Sequence, residues 1–191
     1  MNTFAASEPA VVAVVPTSVF LVGLPGSGKS TVGRHLARRL GRYFYDSDHV
    51  LEKTLGCSIR EYFEQAGEQA FRDREEATIA ELVRLPGIVL STGGGTPLRA
   101  SNRQVLRDHG WVVYLKSNPD DIFRRLRHDK TRPLLQVDDP LGRLKELHRV
   151  RDPLYRETAH CIMETGRPSV SSVVSNVAMQ LEQQELSRPA I

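Results

Sequence analysis

Five short apolar runs, at Val19 to Val22, Tyr43 to Tyr45, Ile88 to Ser91, Trp111 to Leu115 and Cys161 to Met163, alternate with longer segments in which apolar residues recur at helical spacing. Strand-like and helix-like stretches in turn predict a parallel sheet wrapped by helices, here a compact three-layer α/β domain. The helix after the first run is the clearest. Its apolar positions Val32, Leu36, Ala37 and Leu40 fall at i, i+4, i+5 and i+8, and Gly41 stops it. Between the second and third runs the chain is longer than one crossover helix needs. There Ser58 and Glu61 have capping-box spacing, Gly67 interrupts the pattern, and a second helix is expected to about Leu85, so an inserted helical region is predicted. A later stretch, RHDKTRPLLQVDDP, is basic at its start, punctuated by proline and without helical periodicity, and is expected to be a mobile loop.

The junction between the first strand and the first helix reads GLPGSGKST, which matches G-x-x-x-x-G-K-[ST] in the strand-to-helix context the motif requires. Glycines there let backbone N–H groups turn inward around phosphates, and the helix N-terminus adds its dipole. Gly26, Ser27, Gly28, Lys29, Ser30 and Thr31 are therefore the candidate nucleotide-phosphate-binding residues, with Lys29, expected on an exposed loop, reaching the outer phosphates and Ser30 offering its hydroxyl to Mg²⁺. Such a loop sets the cofactor class and leaves the reaction open, since ATPases, GTPases, switches and small-molecule kinases share it.

Two further stretches narrow the choice. The third strand runs into STGGGT, with no acid to hold a metal; Gly93, Gly94 and Gly95 weaken a strand and make sense where a ligand approaches the backbone closely, with a flexible turn as the lesser alternative. The second strand runs into FYDSDHV. If it stays extended through both acids, Asp46 and Asp48 share one face. Asp46 is then the candidate Mg²⁺ ligand and Asp48 the candidate partner of an acceptor hydroxyl; taken alone, Asp48 reads more readily as the N-cap of the helix that follows.

With 191 residues, 40% hydrophobic and 26% charged, the chain has room for one domain with a sizeable core. Its net charge of +3 is too small to indicate nucleic acid, and two cysteines make neither a disulfide framework nor a four-cysteine zinc site. Six histidines show no H-x-x-x-H spacing, so none is assigned to metal or catalysis. The apolar run Val11 to Val15 lacks a basic flank and is too short for a signal peptide or membrane span. The expected organisation is a flexible extension over 1–17, one domain over 18–183 and a flexible tail over 184–191.

The stretches GLPGSGKSTVGRHLA, FYDSD, FRDREE, STGGGT, RPLL and RDPLYRE, in this order from Gly23 to Glu157, together make the chain resemble the shikimate kinases. The resemblance implies ATP-dependent phosphorylation of the 3-hydroxyl of shikimate on the way to aromatic amino acids, with Mg²⁺ as cofactor. It also implies a nucleoside-monophosphate-kinase-like fold whose five parallel strands run in the order 2-3-1-4-5. Asp46 would help hold hydrated Mg²⁺ and Asp48 would contact the reacting hydroxyl, which displaces the helix-cap reading. Arg72 and Arg151 would bind the shikimate carboxylate, with Gly93, Gly94 and Gly95 lining the acceptor site. Arg132 would reach the transferring phosphate from a lid over 127–140, Arg125 would lie over the adenine, and the acceptor-binding region would span about 46–75. Lys29, Asp48 and Arg132 would be the catalytic set.

A planar guanidinium pairs with a carboxylate through two parallel hydrogen bonds, so two arginines suit a small hydroxy acid. Arg72 also has a plain alternative, as a surface charge paired with Glu75 and Glu76 on its own helix. The enzyme is expected to be a cytoplasmic monomer with ATP and shikimate as partners and neither nucleic acid nor membrane. Its rivals are a gluconate or nucleoside-monophosphate kinase and a nucleotide-dependent switch.

Overall fold

The structure, a computed structural model, describes residues 16–127 and 137–187. Most of the predicted extension, the predicted lid around Arg132 and the end of the predicted tail lie outside the described residues.

Strand β1 (Val19–Val22) leads to α1 (Lys29–Leu40), β2 (Phe44–Asp46), α2 (Ser47–Leu55), α3 (Ile59–Leu82) and β3 (Val89–Ser91). A 3-10 turn over Thr96–Leu98 follows, then α4 (Ala100–His109), β4 (Trp111–Ser117), α5 (Pro119–Leu126), α6 (Pro140–Thr158), β5 (Cys161–Thr165) and α7 (Val170–Leu186). The five strands form one parallel sheet in the order β2-β3-β1-β4-β5, as the family resemblance implies.

Alternation along the strands builds two cores. Val19 and Leu21 of β1 join Val113 and Leu115 of β4 in a layer closed by α1 and α7, while Phe20 and Val22 face the opposite side, under α3, α4, α5 and α6. A strand covered on both faces has no solvent side, which is why β1 reads as an unbroken apolar run; all four of its residues are fully buried. At the sheet edge the pattern changes. In β5, Met163 is buried while Ile162 and Glu164 are exposed, and Glu164 pairs with Lys116 at 2.6 Å.

The local signals hold with shifts at the boundaries. Gly41 ends α1 in the left-handed conformation, at φ 64°, and Ser58 and Glu61 form the predicted capping box at the start of α3. Gly67, at φ 81° and ψ 173°, breaks α3 into two segments, and the second stops at Leu82 instead of Leu85. Strand β2 is shifted one residue along, to Phe44–Asp46, leaving Tyr43 79% exposed, and β3 starts at Val89 instead of Ile88. Strands β4 and β5 each run two residues further, paired through Ser117 and Thr165, and α7 continues to Leu186, past residue 183.

Candidate active site

The C-terminal ends of β1, β2 and β3 open onto one cleft of about 350 Å³. From β1 comes the phosphate-type loop. Gly28, the N-cap of α1, sits at φ 95° and ψ 11° with no side-chain cap, so the first N–H groups of the helix remain available to an anion. No acid stands in the first turn of α1 to compete with a phosphate. Gly26, Gly28, Lys29, Ser30 and Thr31 line the cleft together with Arg125 of α5. Ser27 belongs to the loop but turns inward, 1% exposed, with its hydroxyl oxygen unpartnered.

Lys29 is not on an exposed loop as expected. It is the first residue of α1, 7% exposed, and its ammonium donates to the carbonyls of Gly23 at 2.8 Å and Leu24 at 2.9 Å. The loop thus holds its own lysine in place across the mouth of the nucleotide cradle.

From β2 come the two acids, and their geometry differs from the strand argument. The strand ends at Asp46 and the helix begins at Ser47, so the acids share the cleft because the chain turns between them. The cap is also the other residue: Asp46 Oδ1 accepts from the N–H of Asp48 at 3.2 Å and of His49 at 3.4 Å. Its second oxygen accepts from the Ser30 hydroxyl at 2.6 Å, with Ser91 Oγ 3.3 Å from the same hydroxyl. A hydroxyl and a carboxylate oxygen this close suit a magnesium ion that keeps most of its waters. No cluster of three or more His, Cys, Asp or Glu side chains able to cage a metal occurs among the described residues.

Asp48, in the first turn of α2, lies against the glycine run, its Oδ1 2.5 Å from where a Gly93 Cβ would stand. Burial, the neighbouring charge of Asp46 and then that of Glu75 push its carboxyl up to about 6, against an opposing pull from Lys29. A carboxylate so placed is a poor structural charge and a ready partner for a hydroxyl proton.

From β3 comes the glycine run, and each glycine has its own steric reason. A Cβ on Gly93 would lie 2.5 Å from Asp48 Oδ1 and 3.0 Å from Glu75 Oε1; on Gly94, 2.7 Å from the ring of Pro25; on Gly95, 2.5 Å from the Arg72 guanidinium. The run is therefore a floor on which side chains from three other segments rest, rather than a flexible turn. Glu75, 3% exposed, joins Arg72 at 2.7 Å and accepts from the Thr96 hydroxyl at 3.0 Å. Arg72 does pair along its own helix, with Glu75 and, at 3.6 Å, Glu68. The predicted pairing with Glu76 is absent because Arg99 takes that carboxylate at 2.5 Å. Arg72 is nonetheless no surface charge, since only 13% of its side chain is exposed.

Arg151 stands on α6 one turn before Tyr155, whose hydroxyl donates to the Gly94 carbonyl at 2.7 Å. Arg132 lies outside the described residues. The sequence reading passed over Ser91, Ser47, Glu75 and Tyr155. Ser91 carries no sequence signal of its own, being an ordinary strand-end serine until the sheet sets it in register with Asp46. Ser47, between the two acids, accepts the Gly93 N–H at 2.9 Å. Glu75 reads in the sequence only as a helix ion-pair partner of Arg72, and Tyr155 sits inside RDPLYRE with no signal of its own.

This arrangement has known counterparts. A family model described as "Shikimate kinase" matches residues 25–182. The shikimate kinase of Paracidovorax citrulli is 59% identical over 168 residues, 86% of this chain and 92% of that one. The Ralstonia nicotianae shikimate kinase is 54% identical over 166 residues, 87% of each chain. Among solved structures, a shikimate kinase from Acinetobacter baumannii in complex with shikimate superposes with a TM-score of 0.85 at 42% identity, covering 90% of this chain and 96% of that chain. With motif order, sheet topology, cleft and near full-length likeness in agreement, the chain belongs to the shikimate kinase family.

Proposed function

We propose that this protein transfers the γ-phosphoryl group of ATP to the 3-hydroxyl of shikimate, giving shikimate 3-phosphate and ADP. The observation that carries the reading is the single cleft in which Lys29 and Asp48 both stand, with Asp48 over Gly93 and Arg72 over Gly95. A nucleotide switch needs no such acceptor side, and a nucleotide acceptor offers no carboxylate for Arg72 and Arg151. The fold likeness and the shikimate held by the Acinetobacter relative support the same assignment.

In this reading the loop from Gly26 to Thr31 binds the phosphates of ATP and Arg125 covers the adenine. Ser30 and Asp46 hold hydrated Mg²⁺, which when bound offsets charge on the phosphates. Shikimate binds with its carboxylate on Arg72 and Arg151 and its ring along Gly93, Gly94 and Gly95. Asp48 orients the 3-hydroxyl for in-line attack and accepts its hydrogen bond. Because the transition state of phosphoryl transfer is loose, positioning carries more of the rate than deprotonation does. Lys29 leaves its two backbone carbonyls for the phosphates and, with Arg132 assigned by family likeness, stabilises the moving group. The acceptor region over 46–75 and a lid over 127–140 are part of the proposal, as are a monomeric state and a cytoplasmic location; no helix among the described residues is long and apolar enough to cross a membrane.

The test is ADP release with ATP and Mg²⁺ present, measured with and without shikimate, gluconate and a nucleoside monophosphate. Turnover that appears only with shikimate is expected. Equal turnover with gluconate, or turnover indifferent to any acceptor, would refute the assignment.

A further inference from the structure

The glycine run ends in a threonine that the proposed chemistry leaves unused. Thr96 is fully buried, and its hydroxyl donates to Glu75 Oε1 at 3.0 Å. The other oxygen of that carboxylate accepts from the Arg72 guanidinium at 2.7 Å. Glu75 is thus held from two directions, by the arginine on its own helix and by a hydroxyl that belongs to the loop after β3. Thr96 itself is fixed to that loop. Its N–H donates to the Gly93 carbonyl at 3.1 Å, and its carbonyl accepts from the Asn102 amide at 2.9 Å.

Pairing with Glu75 fixes Arg72 relative to α3, but it does not fix the pair relative to the glycine floor. Two adjacent loop residues supply that second relation: the Arg72 guanidinium rests on Gly95, and Thr96 holds the carboxylate that orients it. Both partners are long side chains leaving a helix, and each keeps several rotamers unless something outside the helix selects one. The Thr96 hydroxyl is such a contact, made across 21 residues of chain. Thr78, one turn further along α3, makes the contrast. It is also buried, but its hydroxyl returns to its own helix, at the Arg74 carbonyl 2.9 Å away.

We propose that Thr96 is a positioning residue for the acceptor: acting through Glu75, its hydroxyl sets Arg72 at the distance from the floor of Gly93, Gly94 and Gly95 that the carboxylate of a small hydroxy acid needs. This rests on the reading of the cleft as a shikimate site. Preorganisation of this kind contributes equally to the ground state and the transition state, so its loss belongs in KM for the acceptor and not in kcat.

Thr96→Val exchanges the hydroxyl for a methyl group at nearly constant volume. Expected is a rise of about tenfold in KM for shikimate and in its Kd by titration calorimetry, the size of one hydrogen bond to a charged group. KM for ATP and kcat at saturating shikimate should change less than about threefold. Thr96→Ser and Thr96→Ala form a second pair, which decides the matter even if the valine variant folds poorly: both lose the methyl group, and only the serine keeps the hydroxyl. Serine should stay within about threefold of wild type in KM for shikimate, and alanine should show the full rise. Thr78→Val is the control for a buried hydroxyl lost from α3, expected to leave KM for shikimate alone. If Thr96 acts through Arg72, the effects of Thr96→Val and Arg72→Ala on shikimate binding will be less than additive. An unchanged KM for shikimate, an equal rise in both KM values, a serine variant as impaired as the alanine one, or additive effects would each overturn the proposal. If the wild-type enzyme turned over no shikimate at all, the failure would be that of the functional reading, visible before any variant was made.

Discussion

The two halves of the cleft are built on opposite principles. The nucleotide half rests mainly on one continuous stretch, Gly23 to Thr31, whose glycines all need a positive φ, at 150° for Gly23, 80° for Gly26 and 95° for Gly28, the last with open space where a Cβ would stand. The acceptor half is assembled from segments up to about a hundred residues apart, and its glycines serve volume: Gly93, Gly94 and Gly95 have no left-handed φ, but their missing Cβ positions are taken by Asp48, Glu75, Pro25 and Arg72. A local motif can be recognised from its own letters because backbone conformation is a local property. A floor defined by what other segments lay on it cannot. The halves touch where Pro25 of the loop lies against Gly94 of the floor.

The largest effect expected is that of Lys29→Ala, which breaks the nucleotide half alone. Transfer should fall by roughly 10³-fold or more in kcat with reduced ATP affinity, because an organised cation opposite the phosphates is lost. The lysine also satisfies two backbone carbonyls, so a small loss in Tm should accompany it. Near-normal turnover would remove Lys29 from the mechanism.

Asp48→Asn tests the acceptor half. A kcat loss of roughly 10²-fold is expected with ATP binding little changed, whereas Asp46→Asn should alter the Mg²⁺ dependence. If the two variants behaved alike, the division between the acids would be wrong. Stability provides an independent sign. The Asp48 carboxyl is raised in the folded state from 3.8 to about 6, so its contribution is fully present below the lower value and is lost as pH rises through the upper one. Metal-free wild-type protein should therefore lose about 1–3 kcal/mol relative to Asp48→Asn between pH 4 and pH 7. Chemical denaturation at the two pH values measures it, and a constant difference between the two proteins would contradict the burial argument.

The glycines sharpen the contrast further. Gly94→Ala should raise KM for both ATP and shikimate by about tenfold, since the rigid Pro25 ring must shift and carries the phosphate loop with it. Gly28→Ala should raise KM for ATP alone by several-fold, from the cost of about 1–2 kcal/mol for a side chain in that conformation. Gly95→Ala should raise KM for shikimate alone, by a similar factor, because the Arg72 end can move but only off its mark. Steady-state kinetics on the three variants decide the matter, and any exchange of these signatures would break the two-halves picture.

The smallest effect is assigned to Glu68→Ala. Its pair with Arg72 spans 3.6 Å and its own side chain is 64% exposed, so KM for shikimate should change less than twofold and stability by under about 0.5 kcal/mol. A larger change would mean that the outer pair, and not the buried Glu75, orients Arg72.

From the sequence alone came every strand of the sheet, the caps at Gly41 and Ser58, the phosphate loop and, through the family resemblance, the strand order. These rest on short-range physics: apolar runs long enough for a buried strand, glycines where φ must be positive, a hydroxyl three residues before a carboxylate. Tertiary structure alone decided that Asp46 rather than Asp48 caps α2, because only the observed turn shows which carboxylate reaches the free N–H groups. It decided that Arg72 is held inside the site despite its helix neighbours, that Lys29 is buried on its own loop, and that the three glycines are steric. It also brought Tyr155 to Gly94 across an interval of 61 residues. Such contacts depend on how helices cross the sheet face and on which side chains arrive there, and no periodicity within one segment carries that information.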